Sequence, residues 1–335
     1  MRQTPHEAPR IVVVGSMVLD LTVRVPHFPR RGETMFCSGF DMFAGGKGFN
    51  QAVTARRCGA SVVMVGTVGN DPFGDLFLQI LERETIDARF VSRQTSIGTS
   101  LGIPLIDPSG ENSIIGIPQA NTRLSPADVE PARAEIGAGQ VLLLQLEVPL
   151  EASLHGAEIA RLAGAIVILN PAPAHLPLAS LLRPGLDGRP LIDWLTPNEI
   201  EVEMLAGMPA GGIDEAFSRS REAGEAAVRQ AGRTLLARGL RRGVIITLGA
   251  RGAMIVTAES QERVPGFRVT PVDPTGAGDA FCGAFAVALA EGRPHAEAVR
   301  FANAAGAVSV TRPGAEPSLP RRDEVEALLA AGAGA

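Results

Sequence analysis

Apolar residues along the chain come in two alternating formats. Short compact runs occupy residues 11–15, 62–66, 141–146, 165–169 and 244–248. Each reads as a strand buried on both faces, which is how the strands of a helix-covered parallel sheet read. Between them lie stretches with helical spacing: "NQAVTARRCG", "PFGDLFLQILERE", "LEASLHGAEIARLAG" and "AAVRQAGRTLLARGL". Three of these close on a glycine (Gly59, Gly164, Gly239), a common helix C-terminal signal. Strand–helix repetition predicts a doubly wound α/β fold.

Two stretches break the rhythm. Residues 18–43 and 96–119 carry alternating strand-like pieces, "LTVRV", "TMFCSGFDMF", "TSLGIPLID" and "NSIIGIP", with a turn signal in "PSGEN". One small β-sheet appended to the main domain as a lid accounts for both; two unrelated surface hairpins is the alternative. Residues 206–228 are rich in Ala, Gly and Glu and predict a loop or a solvated helix without chemistry. The tail "LLAAGAGA" predicts fraying.

Composition narrows the class. The 335 residues can build one large α/β domain, and a hydrophobic share of 45% is ordinary for a globular protein. The net charge is −5 and no basic block occurs, so nothing recommends a nucleic-acid partner. No run approaches the roughly 18 apolar residues of a membrane span, and the polar start "MRQTPHEAPR" does not read as a signal peptide. Cys37, Cys58 and Cys282 are far apart, and the histidines show no metal-ligand spacing. Reduced thiols in a cytoplasmic protein are the expectation.

The strongest chemical signal is "VDPTGAGDAFCGAFAVALAEG", residues 272–292. Apolar spacing from Phe281 to Leu289 predicts a helix that opens at "GAGD". Small residues there expose backbone N–H groups at the positive end of the helix dipole, which suits a transferring phosphoryl group. A carboxylate at its edge, Asp279, cannot hold phosphate by charge and makes better sense as the base for an attacking hydroxyl. A plain Gly-rich helix entry with an ordinary first-turn acid would read the same way. A second signal, "AGGKGFNQAV" (44–53), is neither a Walker A loop nor GxGxxG: Gly48 follows Lys47, and Gln51 occupies the last Gly position. Gly45 and Gly46 allow close backbone approach, and Lys47 and Asn50 can hydrogen-bond sugar hydroxyls. A flexible loop before a helix is the bland reading. Glu147, "TPNEIE" (196–201) and "TLGARG" (247–252) lie just beyond strand ends, where open α/β sheets bind ligands.

Taken in order, "AGGKGFNQA", "TPNEIE", "TLGARG" and "DPTGAGDAF" resemble the PfkB carbohydrate kinases over residues 10–330. "LLLQLEVPLE", "LNPAPA", "VPGFRV" and "TRPGAEPS" resemble the ribokinase branch in particular. The resemblance implies a single ATP:sugar phosphotransferase domain with a Rossmann-type sheet and a β-lid, flanked by flexible termini at 1–9 and 331–335. It also implies a homodimer formed through the lid. Asp279 then corresponds to the catalytic base, and Gly276, Ala277 and Gly278 to the anion hole. Asp20, Gly45, Gly46, Lys47, Asn50 and Glu147 correspond to the sugar contacts. Asn198, Thr247, Leu248, Gly249, Ala250, Arg251, Gly252, Gly278 and Asn303 correspond to the nucleotide contacts, and Glu201 to an indirect Mg²⁺ contact. Asp273, Thr275, Ser309, Arg312, Gly314 and Ser318 correspond to a K⁺ site, whose oxygen donors suit a hard cation.

The implied reaction is transfer from ATP to the 5-hydroxyl of a pentose, first of all D-ribose. One position departs from the pattern. In "GSMVLD" the ribose enzymes place an Asn two residues before the sugar-binding Asp, and here that position is Val18. A sugar hydroxyl left without a partner there loses roughly 1–3 kcal/mol, about one to two decades of affinity. That keeps 2-deoxyribose, another sugar or a nucleoside open as substrate; a catalytically weak sugar sensor is the reading outside enzymology. Phe49, where the pattern has a small residue, is a second candidate for altered packing near the sugar.

Overall fold

The computed structural model describes residues 8–37, 39–109 and 111–332. Thirteen strands follow in chain order: β1 Arg10–Val14, β2 Val18–Arg24, β3 Phe40–Gly45, β4 Ser61–Gly69, β5 Asp87–Gln94, β6 Leu101–Ile106, β7 Asn112–Ile117, β8 Val141–Leu144, β9 Ile166–Leu169, β10 Trp194–Leu195, β11 Gly243–Thr247, β12 Ala253–Thr257 and β13 Gln261–Val264. Nine form one sheet in the order β13-β12-β11-β10-β9-β8-β1-β4-β5. It is parallel from β5 to β11, while the β11–β12 and β12–β13 pairs run antiparallel. The compact apolar runs are its inner strands. In β1, Ile11 and Val13 enter one core, and Val12 and Val14 enter the other.

Helices cover both faces. On one side lie α1 (Lys47–Arg57), α2 (Pro72–Arg83), and the C-terminal three, α9 (Ala277–Ala290), α10 (His295–Ser309) and α11 (Arg322–Gly332). The other side holds α3 (Pro126–Val129), α4 (Leu150–Ala163), α5 (Leu178–Leu181), α6 (Glu199–Ala206), α7 (Gly212–Arg219) and α8 (Arg221–Leu236). α9 is buried on nearly every side, as its almost uninterrupted apolar and small sequence requires. Among the described residues no helix is long and apolar enough to cross a membrane.

The two irregular stretches pair as one sheet, in the order β3-β2-β6-β7. The hairpin alternative therefore falls: β2 joins them, antiparallel to β3 and parallel to β6. Period-two alternation puts Val18, Asp20, Gly102 and Ile114 on the face toward the main domain. Leu21, Val23, Phe40, Met42, Ile103 and Ile115 lie on the other, where Phe40 and Met42 are 62% and 51% exposed.

Two expectations are sharpened by the structure. Residues 206–228, expected as a loop or a solvated helix, contain the largely exposed helix α7, which buries only Ile213 in the core; its first turn is held by the buried Glu203 carboxylate, which accepts from Gly211 N (2.8 Å) and Ile213 N (2.6 Å). The tail "LLAAGAGA" is helical in α11 as far as Gly332, with Leu328 and Leu329 packed on the core. Residues 1–7 and 333–335, most of the termini expected to be flexible, lie outside the described residues.

Candidate active site

The sheet order reverses at β1, where the chain moves first toward β4 and β5 and then back to β8. Such a switch point opens a crevice at the carboxyl ends of the strands. Three adjoining cavities occupy it. One of about 700 Å³ lies beneath the lid and is lined by Val18, Asp20, Lys47, Asn50, Glu147 and Asp279 among others. One of about 620 Å³ lies beyond the turn after β11, between Thr247, Gly249, Ala250, Gly252 and Asn303. A bridging cavity of about 220 Å³ shares Lys47, Gly276 and Asp279 with the first, and Thr247 and Gly278 with the second.

Asp279 sits where the cavities meet, at the third residue of α9. Gly276 caps that helix in the left-handed region (φ 77°), which turns the chain sharply into it. An α-helix leaves its first amides without an intrahelical acceptor. The amide of Ala277 goes to the carbonyl of Pro274 (3.2 Å), while Gly278 and Asp279 line the bridging cavity. The Asp279 carboxylate is 8% exposed and accepts from Asn50 Nδ2 (3.0 Å) and Gln51 Nε2 (3.1 Å). Burial raises its pKa, and Lys47 and the two amide donors work against that rise. For Lys47 burial opposes the charge, but Asp279, Glu147 and Glu201 outweigh it and the pKa is raised. A permanent ammonium thus stands among carboxylates at the junction.

Asp20 comes from the middle of the lid, opposite Phe43 of β3 and Gly102 of β6. Gly102 leaves room for the carboxylate: a Cβ there would lie 2.1 Å from Asp20 Oδ1 and displace it. Gly45 packs beneath the same carboxylate, where a Cβ would come 3.0 Å from Oδ2. Burial, with repulsion from Glu147, pushes the Asp20 pKa from 3.8 to about 6, and Lys47 restrains the rise. Gly46 (φ 91°) lets the loop touch β2, since a Cβ would sit 2.6 Å from Val18 N. Glu147 does double duty. It lines the lid cavity, and its Oε2 accepts from Lys47 N (2.9 Å) and Ser16 Oγ (2.6 Å), closing the start of α1 from outside the helix.

Toward the bridging cavity, Asn198 and Glu201 form a reciprocal capping box at α6, each backbone N–H meeting the other's side chain at 2.8 Å. Both line the bridging cavity, and burial raises the Glu201 pKa against its bond from Asn198 and the charge of Lys47. Asn303 Nδ2 donates to the carbonyls of Val264 and Pro265, both at 3.2 Å. Two residues named for the nucleotide point elsewhere. Leu248 is core, and the Arg251 guanidinium lies over Phe217 and pairs with Glu199 and Asp214. The segments named for a monovalent cation do come together. Asp273 Oδ1 accepts from Thr275 N and Oδ2 from Gly314 N, both at 2.9 Å, and the Ser309 and Ser318 hydroxyls are 3.1 Å apart. Desolvation works against ionisation of Asp273, but these bonds overcome it and hold the pKa low. Arg312 supplies its side chain to Glu324, leaving only its backbone for such a site.

Several site residues were assigned no role from the sequence. Ser16, Asn121, Gln145 and Asn170 are buried and hydrogen-bonded around the crevice. The one available signal was a polar residue inside an apolar run, as Gln145 is in "VLLLQLEV". Phe49 does not touch the sugar-side cavity; it is fully buried and edge-on to Phe77 at 5.0 Å.

Two cavities meeting at a helix N-terminus, with one buried carboxylate between them, define an α/β phosphotransferase site. The chain belongs to the pfkB family of carbohydrate kinases, whose family model matches residues 8–322. It is 36% identical to the ribokinase of Haemophilus influenzae over 319 residues, covering 95% of this chain and 98% of that protein. It is 34% identical to the deoxyribokinase of Salmonella typhi with the same coverages. The structure of Arabidopsis thaliana ribokinase complexed with ribose and ATP superposes with a TM-score of 0.82 at 33% identity, covering 96% of this chain and 99% of that one. The protein is therefore an ATP-dependent sugar kinase.

Proposed function

We propose that the enzyme transfers the γ-phosphoryl group of ATP to the 5-hydroxyl of a pentose, with D-ribose as first substrate. The observation that carries this is the position of Asp279, which lines both the lid cavity and the small cavity that bridges it to the far one. In this reading the pentose lies in the lid cavity, held by Asp20, Lys47, Asn50 and Glu147, and the nucleotide lies along the far one. Asp279 accepts the hydroxyl proton as that oxygen attacks phosphorus and the bond to ADP breaks. The first-turn amides of α9 and the Lys47 ammonium face the charge that develops on the phosphoryl oxygens. Closure of the lid excludes water, the competing acceptor.

Mg²⁺ held near Glu201 would neutralise phosphate charge. The all-oxygen donors of the 273–275 and 309–318 segments fit K⁺, which would brace the turn leading into α9. The outer lid face, with exposed Phe40, Met42 and Ile115, fits a homodimer contact with a second copy.

A second substrate has a specific observation behind it. Val18 lines the lid cavity beside Leu101, Ile114 and Ile117, so that wall is hydrocarbon where a hydroxyl would want a partner. This favours 2-deoxyribose, in keeping with the similarity to deoxyribokinases. A coupled assay for ADP release over ribose, 2-deoxyribose, other pentoses, hexoses and nucleosides, with and without K⁺, tests the proposal. Fast turnover of a pentose, raised by K⁺, is expected. Feeble rates with every sugar beside fast turnover of a nucleoside would refute it, and binding without turnover would mark a sensor.

A further inference from the structure

We infer that Gln51 is a positioning residue for the base, and that Gln145 holds Gln51 in the orientation the base requires. The two amides form a buried chain that ends on Asp279. Gln145 Nε2 donates to Gln51 Oε1 at 2.7 Å, and Gln51 Nε2 donates to Asp279 Oδ1 at 3.1 Å. Neither glutamine has any solvent exposure.

The polarity of the chain follows from chemistry. An ionised carboxylate only accepts hydrogen bonds, so Gln51 must present its NH₂ to Asp279. Its carbonyl then faces Gln145, which must present its own NH₂. The order cannot be reversed without leaving Asp279 facing another acceptor. It is held at both ends by close backbone crossings. Gly283 lets α9 press onto α1, since a Cβ there would lie 2.6 Å from the Gln51 carbonyl. At Gly15 a Cβ would lie 2.0 Å from Gln145 Oε1. Gln51 Nε2 also approaches Asn170 Oδ1 at 3.4 Å, and Asn170 Nδ2 is held by the Thr196 carbonyl at 2.9 Å. Asn50 donates to Asp279 Oδ2, so the glutamine chain secures the other oxygen.

The consequence is a base kept ionised where burial favours protonation. The charged and titratable groups around Asp279 are Lys47 from α1, Glu147 beyond β8, Glu201 from α6 and Asp20 from the lid. Cys282, one turn along α9, has its thiol pushed up to about 12 by burial and stays neutral. Lys47 and the amides of Asn50 and Gln51 favour the carboxylate, and Glu147 disfavours it. Removing the Gln51 donor should shift the Asp279 titration upward while leaving the sugar contacts in place.

This inference rests on Asp279 as the base, so the test separates the two. Single-turnover rates at saturating sugar and ATP are measured from pH 5 to 9 for the wild type and for Gln51→Met, Gln145→Met and Asp279→Asn. Gln51→Met should move the acidic limb up by about one unit or more, with sugar KM within a few-fold of wild type. Gln145→Met, which frees the Gln51 amide to turn, should give a smaller shift in the same direction. Asp279→Asn should lose most turnover. If it does and both glutamine variants keep the wild-type limb, the relay falls and the base stands. Should Gln51→Met fail to fold, a wild-type limb in Gln145→Met overturns the inference alone. Near-normal turnover in Asp279→Asn overturns both.

Discussion

Replacing Asp20 by Asn should stabilise the ligand-free enzyme while weakening its hold on the sugar. The carboxyl pKa rises from 3.8 to about 6 on folding, because the site is desolvated and Glu147 stands nearby. A carboxyl with a raised folded pKa supports folding fully below its unfolded pKa, and that support is lost as pH rises through about 6. At pH 7.5 the ionised group is therefore a burden of about two pKa units, on the order of 3 kcal/mol. Asparagine has the same shape beside Gly102 and no charge, so it removes most of that burden. In a chain of this size the melting temperature should rise by about 4–6 °C. The assay is calorimetric unfolding without sugar, wild type against Asp20→Asn, from pH 4 to pH 8. The gap should be widest above pH 7 and close toward pH 4, where the wild-type carboxyl is itself protonated. KM for the sugar should rise by about 10–100-fold, since a charged acceptor is lost. A variant less stable at pH 7.5, or a gap unchanged between pH 4 and pH 8, would show that Asp20 carries no burial cost and the reasoning is wrong.

Val18→Asn should raise the ribose to 2-deoxyribose ratio of kcat/KM by about tenfold or more, read by competing the two sugars. An unchanged ratio removes Val18 from the specificity argument. Met42→Glu, on the outer lid face, should convert a dimer to monomer in sedimentation; monomeric wild type at micromolar concentration would refute the lid contact.

Periodicity exposed the framework because buried parallel strands leave unbroken apolar runs, as in "IVVVG" and "VIIT". The β12–β13 pair was harder to see: "AMIVT" and "QERV" are joined by a short turn and add an antiparallel edge to a sheet otherwise read as parallel. Glycines flagged by motif proved readable in physical terms, Gly46 and Gly276 by positive φ. Uncharged polar side chains were not. Gln51 lies inside the motif "AGGKGFNQA", but its role comes from a partner 228 positions away that the motif does not name. Arg251 misled for the reverse reason: it lies in a nucleotide-like loop, but Glu199 and Asp214 are nearer competitors for its charge. In residues 206–228 the composition allowed the exposed helix that α7 is, but could not show that its first turn is anchored by Glu203, a carboxylate outside the segment.

Asn121 holds the backbone of Met17 from both sides, accepting from its N–H at 3.2 Å and donating to its carbonyl at 3.1 Å. The strand entering the lid is thus fixed by a neighbour's amide and by the buried Met17 and Leu19, while the half-buried Val18 side chain faces the lid cavity. Glu147 is the opposite case, since altering it would disturb the first turn of α1 along with the cavity wall. The crevice therefore has one wall that selection can rewrite a residue at a time and another that it cannot touch without refolding the floor. Under the proposed function, divergence among sugars within this scaffold has an open route at position 18.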